Sequence, residues 1–129
     1  MNLQINLMEG LKVECLVAGH SIIADQPQSK GGTGDHPSPF DYFLASIGLC
    51  AGFYVQSYCR ARNLDSSEIK IQQIMSKKSM DSNQMVLEII VEIPNHFSDK
   101  DKNGILRSVD GCTVKKTIVG MPEFLVRLS

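Results

Sequence analysis

The sequence predicts an α+β domain, and three observations carry that prediction. Residues 2–17 alternate apolar and polar side chains on either side of Glu9-Gly10, as the strands of a hairpin do. Residues 37–55 form an apolar run introduced by two prolines, with apolar residues recurring at helical steps. Two β-prone segments and a capped helical pattern follow. With 129 residues, 43% of them hydrophobic, the chain is expected to be a single domain, 1–129, able to bury its own core.

The elements follow in order. Residues 2–8 and 11–17 are the N-terminal β-hairpin, and Ser21-Ile22-Ile23-Ala24-Asp25 is a third strand after Gly19-His20. Residues 26–39, rich in Gly, Pro, Ser and Asp, form a loop. Ser38 then stands at an N-cap, Pro39 at the first helical position, and Asp41 in the first turn, where a carboxylate suits the helix dipole. The helix is expected over 39–63. Phe40, Phe43, Leu44, Ile47, Ala51, Tyr54, Val55 and Tyr58 recur at steps of three and four, and Leu49, Cys50 and Phe53 widen the stripe. Such a helix is expected to be central and buried. Its small residues, Gly48 and Gly52 among them, admit a closely packed neighbour, such as the same helix of a second subunit. Residues 68–80 and 84–93 read as a second hairpin turned by Asp81-Ser82-Asn83. Ser98 caps a helix over 99–109 with Ile105 and Leu106 on its buried side. Cys112 opens a short helix through Ile118, Gly120-Met121-Pro122 breaks it, and residues 123–128 are expected as a last strand.

Charge and composition exclude several functions. A formal net charge of −1, with both signs interspersed, supplies no basic surface for a phosphate backbone, so no nucleic acid partner is expected. The N-terminus lacks the basic start and apolar block of a signal peptide, and the longest apolar stretch carries Asp41 and Ser46. No membrane association and a cytoplasmic location are therefore expected. The four cysteines are then expected to be reduced thiols. No Cys-x-x-Cys or His-x-x-x-His pair exists, and His20, His36 and His96 are scattered, so no metal site is expected.

Two thiols carry the chemistry the sequence offers. Cys50 lies within the apolar helix, and Cys112 follows Asp110-Gly111 at a helix start, where the dipole favours a thiolate. A peroxide needs a thiolate nucleophile, and the sulfenic acid so formed needs a second thiol to capture it. Each also has a plainer reading: Cys50 as a small buried hydrophobe, Cys112 as a packing residue. Cys59, about two and a half turns beyond Cys50, and Cys15, in a strand with Leu11 and Val13, are expected to be structural. Asp41 reads first as a helix-dipole residue, His20 as a strand-end residue, His36 and Lys115-Lys116 as solvated.

Across essentially its whole length the chain resembles the OsmC/Ohr family, the osmotically induced and organic hydroperoxide resistance proteins. The residues that carry the likeness are 32–50, where a Gly-rich loop and Pro-Ser-Pro lead into a helix with an acidic residue and Ala-x-x-Gly-x-Cys. Cys112 with its following Thr-Val-Lys-Lys-Thr adds to it, and Ala-Gly-His-Ser-Ile-Ile-Ala-Asp resembles a less studied branch. The resemblance implies an OsmC-like fold in an intertwined homodimer, with two buried central helices and sites at the subunit interface. It implies Cys50 as the reactive cysteine and Cys112 as the resolving one, with Asp41 and His20 in support. Phe40, Phe43, Phe53, Tyr54 and Met121 would form an apolar pocket for an organic hydroperoxide, with an external dithiol as reductant and no cofactor. The alternative is a non-catalytic dimer that binds a small apolar ligand or senses redox state. Family peroxidases hold the thiolate with an arginine from the N-terminal region, and here no arginine precedes Arg60. Lys12, Lys30, His20 or His36, or Arg60, Arg62 or Arg107 from a partner subunit, are the candidate substitutes.

Overall fold

In the computed structural model, which describes residues 1–128, the chain divides into two units, one from Met1 to Ala45 and one from Ser46 onward. The first unit begins with an antiparallel sheet in the order β1-β2-β3, formed by β1 (Gln4–Leu7), β2 (Val13–Val17) and β3 (His20–Ala24). Cys15 pairs with Ile5 on one side and Ile22 on the other, as its place among strand residues requires. The β2–β3 hairpin closes through Ala18 (φ 49) and Gly19 (φ 78). Two consecutive positive φ angles match the right-handed twist of the flanking strands.

Asp25 follows β3 directly and is 1% exposed. Its carboxylate accepts from the backbone N–H of Gln26 (2.7 Å), the N–H of Thr33 (3.1 Å) and the Thr33 hydroxyl (2.5 Å). A buried charge is tolerable only when its lone pairs are met, and here they are. Gly32 leaves room for this knot, because a side chain there would collide with the Gln26 carbonyl. The Thr33 hydroxyl and the Gln26 amide hold the Asp25 carboxyl down at about 2, against 3.8 for a free carboxyl. A depressed pKa stabilises the fold fully above about pH 4, and that contribution is lost as pH falls through about 2. Thermal melts between pH 5 and pH 2 are expected to lose stability steeply at the acid end, and Asp25→Asn to flatten that dependence. An unchanged slope in the variant would remove Asp25 as its source.

The long helix α1 (Pro39–Ala61) starts in this unit. Ser38 and Asp41 cap it reciprocally: the Asp41 carboxylate accepts from the Ser38 N–H (2.8 Å) and hydroxyl (2.7 Å), and the Ser38 Oγ accepts from the Asp41 N–H (3.2 Å).

The second unit holds the rest of α1, the hairpin β4 (Lys70–Lys77) and β5 (Met85–Glu92), and helices α2 (Asp99–Val109) and α3 (Thr113–Val119). On α1 the buried residues are Ile47, Ala51, Val55 and Cys59, a stripe at steps of four. Val55 and Cys59 join Phe97 and Ile105 in the core, with Ile69, Ile71 and Val91 of the hairpin segment packed against them. Asn63, at φ 53, turns α1 off as a left-handed C-terminal residue, and the Leu64 N–H reaches back to the Cys59 carbonyl (2.9 Å). Ser98 caps α2 by accepting from the Asp101 N–H (3.1 Å).

Three expectations are corrected. The helix is not buried nearly all round within this chain: Leu49 and Phe53 are 74% and 64% exposed, because the unit supplies partners only for the 47/51/55/59 stripe. The closely packed neighbour expected at Gly48 and Gly52 is present within the chain, where Gln73 and Ile71 of β4 approach them. Leu106 is half exposed and only Ile105 enters the core. Residues 123–128 form no strand. Strand propensity alone does not make one, since backbone groups need a neighbouring strand, and Phe124, Leu125, Val126 and Leu128 remain exposed. Among the described residues no helix is long and apolar enough to cross a membrane, and no cluster of His, Cys, Asp or Glu could hold a metal ion.

Candidate thiol site

Cys50 and Cys112, 62 positions apart in sequence, meet in the second unit. Cys50 projects from α1. Cys112 is the N-cap of α3, where its sulfur accepts from the Lys115 N–H at 3.4 Å. The chain reaches this position through Asp110-Gly111, which ends α2, and an Asp110–Lys115 ion pair at 2.6 Å brackets the turn on its solvent side. All four cysteines are free thiols, and Cys112 is buried while Cys50 is half-buried.

Burial pushes the Cys50 thiol up, but three donors outweigh it: the S–H of Cys112 and the backbone N–H groups of Val114 and Thr113. The net direction is down from the ordinary 9.0. Cys112 moves the other way. Burial raises it, and so do its bond to Cys50 and the negative charge there, while the Lys115 and Val114 amides offset only part. Of the two thiols, Cys50 is therefore the one whose surroundings favour loss of its proton. Within the chain, backbone amides rather than a charged side chain are the groups that favour the thiolate at Cys50.

Tyr54 fixes the turn that carries these donors. Its ring packs against Gly111, where an added methyl group would approach the ring edge to 3.1 Å, and its hydroxyl bonds the Thr113 hydroxyl at 3.3 Å. The Ser108 hydroxyl donates to the carbonyls of Ile105 (2.6 Å) and Tyr54 (3.3 Å), tying α2 to α1 just upstream. Tyr54→Phe keeps the ring and removes the hydroxyl bond. The pH midpoint for alkylation of Cys50 is expected to rise, slowing alkylation near neutral pH by a few-fold, in keeping with loss of one neutral hydrogen bond. A midpoint identical to that of the parent would show that the ring alone holds the turn.

The remaining candidates have their own surroundings. Asp41 is engaged with Ser38, which holds its carboxyl below the usual range. His20 begins β3 and is exposed. Phe40 and Phe43 stack on one another with centroids 5.8 Å apart. Phe53 meets Tyr54 edge-on at 5.4 Å. Met121 lies exposed just beyond α3 in a left-handed conformation (φ 47). Cys59 is buried in the core, and burial pushes its thiol up, as for an inert packing residue. Sequence reasoning missed Asp25, Gly111 and the amides of Thr113 and Val114. Only Gly111, beside a capping cysteine, carried any local signal.

An α+β fold thus brings two thiols together where a long helix meets a short capped one. The chain belongs to the OsmC family: the model described as OsmC-like protein matches residues 32–125. Solved structures share the fold. An osmotic stress induced and detoxification response protein of Psychrobacter arcticus 273-4 is 19% identical, with a TM-score of 0.68 over 91% of this chain and 87% of that one. The OsmC-like protein of Mycoplasma pneumoniae is 15% identical, with a TM-score of 0.67 over 93% and 87%. An organic hydroperoxide resistance protein OsmC of Legionella pneumophila is 14% identical, with a TM-score of 0.57 over 93% and 90%. No curated protein matches the chain.

Proposed function

We propose that this protein is a thiol-dependent peroxidase for organic hydroperoxides, working as a homodimer. The observation that carries the reading is the Cys50–Cys112 pair, in which amide donors and the Cys112 S–H favour thiolate at Cys50. The Legionella relative's name, an organic hydroperoxide resistance protein, points the same way. Cys50 thiolate attacks the distal oxygen of the hydroperoxide, the O–O bond breaks, and the departing alkoxide takes the proton from Cys112. That transfer leaves Cys112 as a thiolate beside the new sulfenic acid. It attacks the Cys50 sulfur, expels hydroxide and closes a disulfide, which a dithiol later reduces. The exposed residues Leu49 and Phe53 on α1 suit a subunit contact.

Single-turnover reaction of the reduced protein with an organic hydroperoxide, followed by peptide mapping, tests this reading. A Cys50–Cys112 disulfide formed as the peroxide is consumed supports it; slow oxidation scattered over all four thiols refutes it. In solution the mass is expected at twice the 14.3 kDa of one chain.

A further inference from the structure

The first turn of α3 is capped by sulfur. Its Thr113 and Val114 N–H groups are held by Cys50, and its Lys115 N–H by the Sγ of Cys112 at 3.4 Å. The Lys116 N–H, next in line, is held by the Cys112 carbonyl at 3.0 Å. A helix leaves its first donors without internal partners, so at α3 both thiols stand where an oxygen-bearing cap usually stands. Little else holds this helix. It has seven residues, none of them buried. A cavity of about 340 Å³ is lined jointly by Ile118 and Val119 of α3, Leu87 and Ile89 of β5 and Leu106 of α2, so apolar contact beneath the helix is incomplete. The Asp110–Lys115 pair is exposed, a setting in which ion pairs contribute little. A helix this short does not persist in water without such support.

We propose that α3 is a redox-sensitive element, held in place while Cys50 and Cys112 are thiols and released when they join as a disulfide. The inference goes beyond the peroxidase reading and shares with it only the closure of that disulfide. Oxidation takes two electrons and two protons from the pair, and a hydroperoxide that accepts them becomes alcohol and water. The new bond fixes the sulfurs at about 2.05 Å, closer than any non-bonded contact. Cys50 is rooted in a 23-residue helix between the buried Ile47 and Ala51, so the displacement falls on Cys112 and the helix it caps. Two supports are lost together. The Cys112 sulfur moves off the Lys115 N–H, and the charge that a Cys50 thiolate presents to the positive end of the α3 dipole disappears. A divalent sulfur within a disulfide is a weak acceptor and replaces neither. The coupling is reciprocal: a helix that needs the thiols draws the pair back toward the dithiol, which makes this disulfide easier to reduce than an unstrained one.

Hydrogen–deuterium exchange on the full chain tests this. The disulfide is formed with diamide, which becomes its hydrazine as the thiols are oxidised, and is confirmed by peptide mapping. Amides of residues 116–120 are expected to exchange faster by about tenfold or more after oxidation, the scale of a lost cap and a lost dipole charge. Amides of α2 and of the buried stretch of α1 are expected to keep their rates. Trypsin is expected to cut after Lys115 and Lys116 faster in the oxidised protein by a similar factor. Cys112→Ser is the control: serine caps well and cannot form the bond, so its α3 should stay protected with or without diamide. Cys50→Ala should quicken exchange part of the way in the reduced protein, because it removes one of the two sulfur acceptors and leaves Cys112 in place. Unchanged or slower exchange of residues 116–120 in the mapped disulfide form would overturn the proposal, as would equal quickening throughout α1 and α2. Because diamide supplies the oxidation, the result is independent of whether a hydroperoxide reacts, which the single-turnover experiment decides.

Discussion

A Cys50→Ser protein is expected to lose its reaction with organic hydroperoxides by at least roughly 10³-fold, the scale on which loss of an essential nucleophile is felt. A serine hydroxyl does not ionise near neutral pH, and the amides of Thr113 and Val114 that favour a thiolate cannot make it a comparable nucleophile. Replacements at Cys112 separate its two roles. Neither Cys112→Ser nor Cys112→Ala can close a disulfide, so both should stop at the sulfenic acid after one turnover, or proceed to sulfinic acid with excess peroxide. They differ in the first step. Serine retains a hydroxyl donor toward Cys50, whereas alanine removes it, so only alanine should raise the pH at which Cys50 becomes reactive. In the parent protein the rate is expected to climb with pH through a midpoint below 9.0 and then level off. Stopped-flow oxidation across pH, with mass spectrometry of the products, reads out all three variants. Peroxide consumption that persists in Cys50→Ser would move the chemistry to another thiol.

Where the physics is local, the sequence was legible. Ser38, Pro39 and Asp41 start α1, Asn63 ends it, Ser98 starts α2, and Cys112 occupies the cap of α3, because each acts on backbone groups within a few residues. Where a partner lies far along the chain, it was not. Nothing near Cys50 announces that Thr113 and Val114 supply donors to it, because they lie more than 60 positions along the chain. Asp25 reads as an ordinary strand-end residue until Thr33 closes over it. Residues 123–128 have the composition of a strand, yet hydrogen bonding is a property of pairs, and the described chain offers them none. The same reason leaves Leu49 and Phe53 exposed on a helix whose pattern reads as buried.

The largest stability effect is expected at Gly104, a buried glycine in the middle of α2. On helix propensity alone, alanine should be better there by about 1 kcal/mol. Packing reverses the sign. A methyl group at Gly104 would run into the hydroxyl and ring edge of Tyr58, which lies over this turn of the helix. That ring cannot step aside cheaply: its hydroxyl donates to Asp101 at 3.1 Å, and the Arg62 guanidinium covers its face at 3.8 Å from the centroid. Overpacking of this kind costs typically 1–3 kcal/mol and sometimes more, so Gly104→Ala is expected to destabilise by about 2 kcal/mol net. For a chain of this length that corresponds to a melting temperature lower by roughly 8 °C. The decisive comparison is the same substitution in a Tyr58→Ala background. With the ring gone, only the propensity remains, and Gly104→Ala should now stabilise. A glycine retained for some other reason would show no change of sign. Calorimetry on the four proteins of that cycle therefore tests whether the α1–α2 contact at Tyr58 is set by the absence of a single side chain.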